Sequence, residues 1–160
     1  MKFSLFAHME RLTPHQSHAE LYDEFIALAE IADHGGMHAL WTGEHHGMDF
    51  TIAPNPFINL ADLARRTTNL RLGTGTVVAP FWHPIKLAGE AAMCDIVTGG
   101  RLDLGIARGA YHALDALSWE RIHDPVCTAI LQRYAAENAA GRFGIYVCDA
   151  EAGDVRPVSC

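Results

Sequence analysis

Apolar residues fall into short runs separated by longer stretches where they recur every three or four positions. That is the pattern of buried strands alternating with amphipathic helices. Lys2 to Ala7, rich in Phe and Leu, predicts a first strand. A polar loop with Thr13-Pro14 leads into a helix from His18 to Asp33. Ser17 and Glu20 have capping-box spacing at its start, Leu21, Phe25, Leu28, Ala29 and Ala32 share one face, and Gly35-Gly36 ends it. Ala39 to Thr42 predicts a second strand opening into the loop Glu44 to Asn55, with a helix from Pro56 to Thr67 behind it. Leu70 to Ala79 is a third strand, Pro84 starts a helix that stops at Gly99-Gly100, and Leu102 to Ala107 is a fourth strand. Pro125 starts a further helix with Val126, Ile130 and Tyr134 on one face, and Phe143 to Cys148 is a fifth strand.

The order is therefore βαβαβαβ followed by αβ, which means an α/β fold with a parallel sheet covered by helices. An open doubly wound sheet and a portion of a (β/α)8 barrel both satisfy it. Composition narrows the class without choosing between them. With 160 residues, 49% apolar and 19% charged, the chain can bury one core in a soluble domain. A net charge of -7 argues against nucleic acid or an anionic membrane surface as partner. No stretch approaches the ~18 apolar residues of a membrane span, and MKFSLFAHMER reads as a strand rather than a signal peptide. The four cysteines at 94, 127, 148 and 160 include no CxxC pair, as expected of reduced thiols in a cytoplasmic protein without a zinc site.

Candidate chemistry gathers where strands end. Glu44-His45-His46 follows the second strand, Thr74-Gly75-Thr76 and Trp82-His83-Pro84 belong to the third, and Arg108-Gly109-Ala110-Tyr111 follows the fourth. The carboxyl ends of parallel strands are where α/β folds bind ligands. Neighbouring residues in an extended segment point to opposite sides, so Glu44, His45 and His46 do not all face one metal ion. A histidine facing a pocket suits proton transfer near neutral pH; the alternative is a loop histidine bonded to backbone. Gly73-Thr74-Gly75 lacks the third glycine of a dinucleotide fingerprint and continues as a strand, so glycine there would let a flat ligand approach the backbone. Arg108 pairs either with a phosphate or flavin carbonyl or with a nearby carboxylate, and Tyr111 is either a ligand contact or a core cap.

The segments LWTGEHHGMDF at 40–50, NPFINLADLARRTTNLRLGTGTVVAP at 55–80 and HPIKLAGEAAMCDIVTGGRLDLGIARGAY at 83–111 together resemble the luciferase-like flavin-dependent monooxygenases, relatives of bacterial luciferase. The resemblance covers 1–111 and implies the N-terminal part of a TIM-type (β/α)8 barrel, with four to five units present, strands adjacent in sequential order, and an unmatched tail over 112–160 packed as helix plus strand on the same domain. It implies a reduced FMN supplied by a separate NAD(P)H flavin reductase, which with O2 oxygenates a small apolar organic molecule. His45 and Glu44 would act near the flavin. The Gly75-Thr76 backbone, cis in some relatives, would pass along its ring, and Arg108 and Tyr111 would lie on its ring and phosphate side. Ala107 stands where some relatives carry a reactive cysteine. A barrel needs ~250 residues, so the chain is expected to be truncated and homo-oligomeric through its open sheet face or edge. The alternatives are a non-catalytic flavin-binding protein derived from this fold, and an oxidoreductase that uses a deazaflavin.

Overall fold

A computed structural model describes residues 1–46 and 52–107 in full, together with the backbone of strands at 145–149 and 154–157. Strand β1 spans Ser4–Phe6, β2 Ala39–Thr42, β3 Arg71–Val78, β4 Leu102–Ala107, β5 Ile145–Asp149 and β6 Asp154–Pro157. Helices α1 (His18–His34), α2 (Pro56–Arg66) and α3 (Pro84–Val97) lie between the first four strands. The sheet order is β1-β2-β3-β4-β5-β6. Strands β1 to β5 pair in parallel and β6 returns antiparallel to β5.

Sequential order is the arrangement of a barrel, in which each helix carries the chain to the adjacent strand. A doubly wound sheet would have reversed direction at an inner strand. The expectation for β1 to β4 therefore holds, and the 143–148 expectation is met by β5. The closing β6 and the short 3-10 turn at Ala79–Phe81 carried no periodic signal. The helix expected from Pro125 lies outside the described residues. Among the described residues no helix is long and apolar enough to cross a membrane.

Helix starts follow from capping chemistry. Ser17 accepts from the Glu20 amide while the Glu20 carboxylate accepts from the Ser17 amide, the reciprocal box expected at α1. Asn55 accepts from the Phe57 amide ahead of Pro56, which lacks the amide hydrogen that a first helical residue would leave unpaired. Leu21, Phe25, Ala29, Leu60, Leu63, Leu87 and Ala91 then pack on Leu40, Leu72, Val77, Leu102, Leu104 and Ile106 of the sheet. Leu5 joins this core only in part, and Phe3 is 64% exposed.

At the end of the sheet where the strands begin, Asp33 accepts from the Thr68, Asn69 and Leu70 amides at 2.8, 2.9 and 2.7 Å. Arg101 donates to the Ala64, Leu70 and Thr98 carbonyls and to the Thr67 hydroxyl. The two side chains fasten the turns before β3 and β4 to α1 and α2. Loops at the opposite end are left to bear function.

Register places Phe6, Trp41, Gly73 and Asp103 in one row on the face away from the helices. Small residues in this row accommodate large neighbours. A Cβ on Gly73 would lie 2.3 Å from the Trp41 ring, and one on Gly75 would lie 2.6 Å from the Phe6 ring. A side chain at either glycine would thus meet the aromatic rings of the preceding strands. Arg71 and Asp103 form a two-pronged ion pair on the same face, at 2.6 and 2.8 Å.

Between Thr74 and Val77 the β3–β4 register shifts, and the Gly75-Thr76 peptide is cis. The Thr74 hydroxyl bridges the irregularity, accepting from the Gly105 amide at 2.8 Å and donating to the Gly105 carbonyl at 2.9 Å. A Cβ on Gly105 would sit 2.2 Å from the Thr74 carbonyl oxygen, which is backbone and cannot turn aside. Gly105→Ala is expected to lower unfolding free energy by about 1–3 kcal/mol, the scale of overpacking. Gly89→Ala, in α3 with nothing within 4 Å of the new methyl, is expected to raise it by about 0.5–1 kcal/mol. Urea titration of both variants measures the contrast.

Candidate active site

The carboxyl ends of β1, β2 and β3 converge on one loop cluster. Glu44 and His46 lie two positions apart on the extended segment leaving β2 and meet side by side, while His45 between them turns the other way, as alternation requires. His46 Nε2 is 2.5 Å from Glu44 Oε1. The second oxygen, Oε2, accepts from the Val78 amide at 2.8 Å and from the Trp82 indole N–H at 2.9 Å. The Glu44 side chain has no exposed surface. Its acceptors thus tie β2 to the end of β3 and to Trp82, two residues before α3. The His46 ring also meets Phe81 edge-on, with centroids 4.8 Å apart.

On the other side, His45 joins a file of rings. Phe6 meets His8 with centroids 4.6 Å apart, and His8 meets His45 at 5.3 Å. The His45 amide donates to the Ala53 carbonyl, which draws the two ends of the loop together. His45 Nε2 would lie 3.1 Å from a Cβ placed on Gly43, so glycine there gives the imidazole its position. Burial is the largest cause that pushes the His45 pKa below its ordinary 6.5; His8 and His46 push the same way, against Glu10 and Glu44. The imidazole is therefore neutral at neutral pH, fit to accept a proton.

Of the residues singled out in the sequence, Glu44, His45, Gly75 and Thr76 are brought to this end of the sheet. Arg108 and Tyr111 lie outside the described residues. His83 sits as the N-cap of α3 without a side-chain cap bond. Sequence reasoning placed Trp82 at a strand end without its partner, and it missed His8, Phe6 and Trp41. His8 carried the same signal as the others, a polar ring just beyond the carboxyl end of a strand. Phe6 and Trp41 read as strand core until register put them on the face away from the helices.

A model of the luciferase-like monooxygenase family matches residues 1–118. The chain belongs to that family. It is 73% identical over 111 residues to the oxygenase component of a flavin-dependent trigonelline monooxygenase from Acinetobacter baylyi, a match covering 69% of this chain and 31% of the relative. Among solved structures, monooxygenase RslO1 from Streptomyces bottropensis superposes with a TM-score of 0.70 at 33% identity, covering 84% of this chain and 42% of that one. The oxygenating constituent of 3,6-diketocamphane monooxygenase from Pseudomonas putida, in complex with FMN, has a TM-score of 0.67 at 23% identity, covering 99% and 44%; it shares the fold. The chain thus spans about a third of the length of the curated relative it matches. Its sheet consists of β/α units of the TIM-barrel type, and its homologues are flavin-dependent monooxygenases.

The lowered His45 pKa has a measurable consequence. The unfolded chain binds this proton at 6.5 and the folded chain only at lower pH. His45's contribution to stability is therefore complete above 6.5 and declines as pH falls towards the folded midpoint. Histidine C–H resonances followed by NMR are expected to show a His45 midpoint below 6.5. A midpoint at or above that value contradicts the burial argument.

Proposed function

We propose that this chain belongs to the oxygenase component of a two-component flavin-dependent monooxygenase. Reduced FMN, delivered by a separate NAD(P)H flavin reductase, supplies the electrons with which O2 is divided between product and water. The 73% identity to the trigonelline oxygenase component carries the reading. Trigonelline is an N-methylated pyridinium carboxylate, so a small charged heteroaromatic molecule replaces the apolar substrate that the family resemblance implied. A flat cationic ring is the kind of ligand that aromatic faces and nearby carboxylates attract.

The site suits such ligands in specific ways. Phe6, half exposed, and Trp41 offer ring faces where Gly73 and Gly75 add no bulk. Phe6, Trp41 and the Gly75-Thr76 backbone would hold the planar ring of such a cofactor, and Arg108 and Tyr111 would serve its phosphate and ring side. His45, neutral and beside His8, accepts a proton from the reacting molecule or a water. Glu44 stands behind them, fully paired. The cytoplasm, where reductase and NAD(P)H are found, is the proposed compartment. The β1 edge and the half-exposed Phe6 favour a homo-oligomer, because unpaired edges invite association.

Anaerobic titration of the purified chain with reduced FMN, followed by air, trigonelline and a flavin reductase, tests the reading. Saturable binding and loss of trigonelline are expected, and His45→Ala is expected to slow oxygenation by about 10²–10⁴-fold while changing FMN affinity far less. Binding without turnover would instead indicate a non-catalytic flavin-binding protein. Preference for a deazaflavin over FMN would indicate hydride transfer.

A further inference from the structure

We infer that Glu44 is a positioning residue that fixes the tautomer of His46, making His46 Nδ1 a second, defined proton-accepting atom beside His45. The functional meaning of this assignment rests on the flavin reading above, but its geometry and its test do not.

The inference follows from counting donors. An ionised carboxylate can only accept hydrogen bonds. Glu44 Oε2 already takes two, from the Val78 amide and the Trp82 indole, and neither donor has an alternative protonation state. These bonds fix which way the carboxylate faces and leave Oε1 turned to His46 Nε2 at 2.5 Å. Nε2 must therefore carry the hydrogen, and in the neutral ring Nδ1 is left as the acceptor. Phe81 packs edge-on against the ring and restrains its rotation. The His45 ring is neighboured by His8, and burial is the largest cause that lowers its proton affinity. The two adjacent histidines thus differ in kind. One is held neutral by its surroundings, and the other has its proton placed by a buried acid, an arrangement that enzymes use to orient an imidazole.

The donor count also fixes what an isosteric change does. In Glu44→Gln the two converging N–H groups demand an acceptor, so the amide oxygen takes the place of Oε2. The amide NH2 then faces His46 Nε2, which must accept, and the neutral ring moves its hydrogen to Nδ1. A change in one atom at position 44 inverts the tautomer at position 46.

Imidazole nitrogen chemical shifts of 15N-labelled protein, recorded at a pH where His46 is neutral, read this directly without flavin. The expected result is Nε2–H in the unaltered chain, Nδ1–H in Glu44→Gln, and retained Nε2–H in Trp82→Phe, where the Val78 amide still orients the carboxylate. An averaged or Nδ1–H tautomer in the unaltered chain overturns the inference, as does Nε2–H persisting in a folded Glu44→Gln. If Glu44→Gln does not fold, the unaltered chain and Trp82→Phe decide alone, since both must show Nε2–H. Failure of FMN binding or turnover leaves these shifts untouched, so the two readings fail separately.

Discussion

The site depends on one buried carboxylate. Glu44 leaves β2 and would cost several kcal/mol to bury without partners. It receives the last amide of β3, the indole that precedes α3 and the imidazole two positions on. Each of these belongs to a different part of the chain, so the acid sets the relative placement of the loops after β2 and β3. Removing it would leave two buried N–H groups without acceptors, at about 1–3 kcal/mol each. The same bonds that hold the loops also decide which way His46 faces.

Beneath that end, the sheet divides its two faces by size. Towards the helices, Leu40, Leu72 and Leu102 stand in one row and interlock with helix side chains. On the other face, glycine recurs at 73, 75 and 105, where the Cβ of any other residue would strike Trp41, Phe6 or the Thr74 carbonyl. The narrowing of a barrel interior demands such economy. It leaves Phe6 and Trp41 as the large rings of that face. Asp33 and Arg101 hold the far end of the strands, so the stabilising contacts there and the chemistry at the loops are separated along the strand axis.

Most of the fold was legible because local signals agreed with one another. The capping box at Ser17 and Glu20, Pro56 at a first turn and the double glycine after α3 each marked a boundary that the backbone keeps. Strand order was not legible from periodicity, since sequential and doubly wound sheets share the same alternation; the family segments supplied it. Within the site, alternation along residues 44 to 46 foretold that the three side chains would not face one point. It did not reveal that Glu44 is spoken for by Trp82, 38 positions away, because nothing local records a long-range donor. Nor did it reveal that Gly75 has the Phe6 ring for a neighbour, a contact made across strands that nothing local records.

Amide hydrogen exchange compared between the unaltered chain and Glu44→Ala tests most directly whether this carboxylate holds the site together. The Val78 amide and the Trp82 indole N–H are expected to lose protection in the variant, while amides of Leu72 and Leu104 within the sheet keep theirs. Unchanged protection at Val78 and Trp82 would contradict the central place given to Glu44, and uniform loss across the sheet would show that its role is global stability and not local positioning.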